Sequence, residues 1–148
     1  MRYLLTSLFL FGLSITFGQS KYNRILNSID DNKTNYSGIA QQIWSYAEMG
    51  YQETQSSALL QKTLEEAGFK ITTGVADIPT AFTATYGSGG PVIAVLGEFD
   101  ALPGLSQKAV PYKVSNDGKA GHACGHHLFG TASAAAAIAI KNYLVGEN

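Results

Sequence analysis

The only cysteine and all three histidines of this 148-residue chain fall within His122-Ala123-Cys124-Gly125-His126-His127. A thiolate and imidazoles suit Zn²⁺ and its first-row neighbours, so the stretch reads as a divalent-metal site. Cys124 and His126 stand two apart and would point to nearly opposite sides of a helix. To converge on one ion they need looped backbone, and Gly121 and Gly125 give the freedom for it. The rival geometry is helical, with His122 and His126 four apart on one face. The two glycines favour the loop, with no helix starting before Gly125. A catalytic zinc takes three protein ligands, so a third must come from elsewhere.

Carboxylates are the next candidates. Glu98 and Asp100, in Gly97-Glu98-Phe99-Asp100-Ala101-Leu102-Pro103-Gly104, follow the apolar run Pro91 to Leu96. Two apart on extended backbone, they share a face. They could touch a metal, orient a metal-bound histidine, or serve as a turn aspartate and a surface glutamate. Glu48 and Glu53 read as solvated or as partners of a helix N-terminus. Cys124 as a nucleophile beside His126 is a different chemistry, for which no orienting third group can be assigned. A metal-binding module without catalysis is a further alternative.

These residues need a frame. Residues 1–18 read as a secretory leader, with Arg2 followed by an uncharged apolar run to Phe17 that is short for a membrane span. An exported location, periplasmic or extracellular, follows; an uncleaved anchor is the alternative. Residues 19–38 form a polar lead-in and the first helix, with Asn27 to Ser37 the nearest thing to a linker. Ile39, Ile43, Tyr46 and Ala47 have helical spacing, with Gly50 as the stop. Thr54 caps a second helix with Ala58, Leu60, Leu64 and Ala67 inward, ending at a left-handed Gly68. Phe69 to Ile71 and Ala81 to Tyr86 read as strands. Gly87 to Gly90 makes a hairpin turn into Pro91 to Leu96, which reads as a strand buried on both faces. The polar loop Leu105 to Lys119 leads to the cysteine–histidine stretch, and a small-residue helix runs from Leu128 to Leu144. The predicted class is α/β, a mixed sheet flanked by helices. Net charge is −1 with no basic run, which argues against a nucleic-acid partner.

Glu98-Phe99-Asp100-Ala101-Leu102-Pro103-Gly104, then Gly121-His122-Ala123-Cys124-Gly125-His126, resemble the M20 metallopeptidases, amidohydrolase branch. Ala47 to Thr54 is similar to that family's amino-terminal helical segment. The resemblance implies that residues 39–148 are the amino-terminal part of a zinc-exopeptidase-like catalytic domain. It implies hydrolysis of amide bonds in N-acyl amino acids, aminobenzoyl-glutamate or similar conjugates, with two ions (Zn, Mn, Co or Ni) per full-length site. It makes Cys124 and His126 metal ligands and Asp100 the active-site aspartate. Glu98 stands where other branches carry a histidine ligand, and His127 where Asp or Asn is common. A homo- or hetero-oligomer is implied for the full-length form. The general-base glutamate falls beyond Asn148, so the chain is expected to be a truncated form that hydrolyses no amide by itself.

Overall fold

The computed structural model describes residues 22–116 and 118–146, so the leader expected over residues 1–18 lies outside the described residues. Helix α1 is described over residues 22–31 and is followed by α2, Lys33–Tyr46. The polar stretch Asn27 to Ser37 is therefore mostly helix and not a linker. A helix needs only one apolar stripe, and polar residues fill its solvent side. Tyr36, Ile39, Ala40 and Ile43 supply that stripe, and Ile43 is fully buried. The helix ends on Ala47 in the left-handed region, at φ 47°, and not on Gly50.

Helix α3, Thr54–Glu66, sets Leu60 and Leu64 into the core with Ile39, Ile43 and Ala134. It stops on Gly68 at φ 90°, where the Gly68 N–H bonds the Glu65 carbonyl and the Phe69 N–H the Leu64 carbonyl. Those two bonds are a Schellman ending, which the left-handed glycine permits. At the other end Thr54 is not the cap. The Glu48 carboxylate accepts the Gln55 and Ser56 N–H groups, at 2.9 and 2.8 Å, and the Ser56 hydroxyl at 2.8 Å.

Strands β1, Lys70–Thr73, and β2, Phe82–Thr85, pair antiparallel from Lys70↔Thr85 to Thr73↔Phe82. The hairpin thus joins β1 to β2, not β2 to the run that follows. Pro91 to Leu96 forms no strand, and Val92 and Ile93 are 84% and 85% exposed. A strand buried on both faces needs ladder partners on its two edges. The pairings among the described residues give this segment none. Its end is held by the Ser133 hydroxyl, which donates to the Leu96 carbonyl at 2.6 Å.

Two short strands, β3 (Leu102–Pro103) and β4 (Ala120–Gly121), pair antiparallel and close the long loop between them. Helix α4, His126–Gly146, packs its small buried residues, Ala134, Ala135 and Ala139 among them, into the core formed with α2 and α3. It is long and apolar enough to cross a membrane by length and composition, and it packs against α2 and α3.

Candidate metal centre

The segment after Leu96 is fixed from two sides. The Ala101 N–H donates to the Glu48 carbonyl at 2.7 Å, beside a parallel bridge between Met49 and Ala101. On the other side, a Cβ at Gly130 would stand 2.9 Å from the Glu98 carbonyl oxygen and 3.0 Å from the Phe99 Cβ. Glycine therefore lets the first turns of α4 back directly onto Glu98 and Phe99. His126, the first residue of α4, sits one helical turn before Gly130 and faces the same segment.

The result is an imidazole held between two carboxylates. His126 Nδ1 lies 2.7 Å from Asp100 Oδ1, and His126 Nε2 lies 3.0 Å from Glu98 Oε2. The histidine side chain is the most enclosed of the three and the Glu98 side chain the most open. A neutral imidazole has one N–H and one lone pair. If Nδ1–H donates to Asp100, the Nε2 lone pair faces the Glu98 carboxylate, and that contact is repulsive unless a cation or a proton stands between them. Asp100, His126 and Glu98 thus have the donor order of a carboxylate–histidine–metal triad with a carboxylate co-ligand. The Nε2 to Oε2 separation is also what two adjacent ligands at about 2.1 Å span at roughly a right angle. One ligand atom from each residue falls within 4.8 Å of the others. The donor set fits a divalent ion.

The other residues singled out in the sequence go elsewhere. Helix α4 begins after Gly125, whose φ of 86° and whose N–H bond to the His122 carbonyl close a turn over residues 122–125. Cys124 is exposed on that turn and stands outside the three-residue group. His122 is not on one helical face with His126. It is 3% exposed, and its Nε2–H donates to the Ile43 carbonyl at 3.1 Å. His127 packs its ring against that of His122, with centroids 5.0 Å apart. Burial holds both imidazoles below the usual histidine range, and a neighbouring imidazole adds to it in each case; for His122 the Ile43 bond, the Asp100 charge and the Asp100 main chain oppose this without overcoming it. Glu53 is buried and accepts the Thr80 hydroxyl at 2.7 Å, so it is not a solvated side chain. Of the two readings of Glu48, the partner of a helix N-terminus is the one found. Sequence reasoning missed the anchoring role of His122, whose partner Ile43 is distant in the chain, so that no short spacing signals it.

No model of a known protein family matches the chain. Known proteins do. The chain is 48% identical over 129 residues to a subunit of the p-aminobenzoyl-glutamate hydrolase of Escherichia coli (strain K12), covering 85% of this chain and 27% of that protein. It is 33% identical over 110 residues to N-acetyl-L-cysteine deacetylase of Bacillus subtilis (strain 168), covering 70% and 25%. It is 29% identical over 136 residues to Xaa-Arg dipeptidase of Homo sapiens, covering 83% and 28%. The chain spans about a quarter of the length of the curated relatives it matches.

Proposed function

The chain belongs to the M20 amidohydrolase family, and from that premise we propose that it carries part of the metal-holding wall of an enzyme that hydrolyses N-acyl amino acids. The observation that carries the reading is the placement of His126 between Asp100 and Glu98. Asp100 would hold the His126 ring in its Nδ1–H tautomer and leave Nε2 free for a divalent ion, with Glu98 beside it as a second donor. Cys124, exposed two residues before His126, is the further thiolate donor in this proposal. A divalent ion, when bound, supplies a Lewis acid for an amide carbonyl and lowers the pKa of a water.

The chain's own carboxylates divide by task. Glu48 is taken up by the N-terminus of α3, and Glu53 is buried against Thr80. The family resemblance, and not elimination among these carboxylates, implies a general-base glutamate outside these 148 residues. The cysteine-nucleophile reading loses support, because both ring nitrogens of His126 face carboxylates and neither faces the thiol as a base.

The relative that is 48% identical is named for p-aminobenzoyl-glutamate and as one subunit of its hydrolase. We extend both to this chain: an aminobenzoyl-glutamate-type conjugate as substrate, and assembly with a second, different polypeptide. Zn²⁺, Mn²⁺, Co²⁺ and Ni²⁺ all suit the donor set. The test is release of p-aminobenzoate from p-aminobenzoyl-glutamate by the complete gene product, with and without added Zn²⁺ or Mn²⁺. Metal-dependent release supports the reading; a protein that binds the ion and cleaves no N-acyl amino acid supports a metal-binding module instead.

A further inference from the structure

Both halves of the candidate centre hang from the same place, the C-terminal end of α2. The Asp100 half is attached through the Glu48 carbonyl, which accepts the Ala101 N–H at 2.7 Å. The His126 half is attached through the Ile43 carbonyl, which accepts His122 Nε2–H at 3.1 Å and also the Ala47 N–H at 3.2 Å. His122 closes the ligand turn with its own carbonyl, to which the Gly125 N–H donates at 3.1 Å. The residue before it is pinned as well, since a Cβ at Gly121 would overlap the Leu105 carbonyl. One buried side chain therefore joins the turn that carries Cys124 and His126 to the helix end that fixes Asp100.

We propose that His122 is a positioning residue for the metal centre, acting through its Nε2–H bond to the Ile43 carbonyl. The inference rests on the metal reading of Glu98, Asp100 and His126. Two observations separate this role from ligation and from simple space filling. Donation to Ile43 takes up Nε2, and the other nitrogen, Nδ1, is buried with no well-formed hydrogen bond among the described residues, the Asp100 main chain being near the ring. An imidazole that had settled there as packing would leave an unsatisfied buried nitrogen for no return, and an apolar ring of similar size would serve better. The polar function is thus confined to one atom, Nε2. His127, packed on the ring, holds its orientation.

That confinement gives a test in which two substitutions of like polarity differ. A glutamine side-chain amide nitrogen reaches the position of Nε2; an asparagine one reaches only the position of Nδ1. The full chain is prepared as wild type, His122→Gln and His122→Asn, and two quantities are read. The first is amide hydrogen exchange at Gly125, Leu128 and Phe129 without metal, since their N–H groups close the turn and start α4. The second is Co²⁺ affinity by absorbance titration. The expected result is exchange and affinity within about twofold of wild type for Gln. For Asn, exchange at the turn rises and Co²⁺ affinity falls about tenfold, the scale for loss of an outer support to a metal ligand. A role in folding alone would move melting temperature in both variants alike, with affinity following it. Equal behaviour of Gln and Asn overturns the proposal, as does a Gln variant that loses affinity if Asn does not fold. A turn that loosens only in Asn, with Co²⁺ affinity unchanged, overturns positioning and leaves the metal reading standing. Failure of the wild type to bind Co²⁺ removes the metal reading itself, and the positioning role with it.

Discussion

Gly130 lies against the backbone of Glu98 so closely that a methyl group at position 130 would stand 2.9 Å from the Glu98 carbonyl oxygen. The contact sets the distance between α4, which carries His126, and the segment that carries both carboxylates. Gly130→Ala should push Glu98 and Phe99 away from the helix, because neither the carbonyl nor the backbone behind it can yield easily. Overpacking of this kind costs about 1–3 kcal/mol. Thermal denaturation should show that loss, and Co²⁺ affinity should fall with it. Gly146→Ala, with nothing within 4 Å, is the control and should change neither.

Glu48 gives a pH dependence. Burial pushes its carboxyl up, but hydrogen bonds from the Gln55 and Ser56 backbone and side chains outweigh that and hold it below the usual value of 4.5. A carboxyl depressed in the folded state stabilises at pH above its unfolded value and loses that contribution as pH falls through the folded one. Glu48→Gln should therefore be less stable than wild type at pH 7, by about 1 kcal/mol on the scale of helix capping. The gap should close as pH drops below 4.5. Urea unfolding of both proteins at pH 7 and near pH 3 measures it.

Cys124 is the proposed sulfur donor. With Co²⁺ bound, a thiolate ligand gives an intense near-ultraviolet charge-transfer band that oxygen and nitrogen ligands lack. Wild type should show the band and Cys124→Ser should lose it. Identical spectra would remove Cys124 from the ligand set and leave the ion on His126 and Glu98.

The leader proposal predicts export. Arg2 and the uncharged run to Phe17 should direct secretion, with a mature protein beginning near Gln19. Amino-terminal sequencing of the expressed protein checks this; Met1 retained on cytosolic protein contradicts it.

The helices were legible because burial in them is periodic. Ile39 and Ile43 in α2, and Leu60 and Leu64 in α3, are buried as their spacing predicts. Gly68 and Gly125 could be read as boundaries because both take a positive φ that other residues adopt only with strain. Glu98 and Asp100, two apart in the chain, both reach His126, as a shared face predicts. Pro91 to Leu96 was misread, since a continuous apolar run records a tendency to be buried without naming what buries it. Spacing grouped Cys124 with His126, whereas the close contacts of His126 come from residues 26 and 28 positions earlier, at Asp100 and Glu98. Those contacts depend on the fit of α4 against the 98–101 segment. That fit turns on one glycine, which hydropathy does not register.

His126, flanked by Asp100 and Glu98, is proposed to hold a divalent ion. Isothermal titration of metal-free protein with Zn²⁺ tests it most directly, in wild type, His126→Ala and Glu98→Gln. The expected result is saturable binding to wild type, a loss of at least about tenfold for Glu98→Gln, and a larger loss for His126→Ala. Wild-type affinity in the His126→Ala protein, with its fold intact by circular dichroism, would contradict the account.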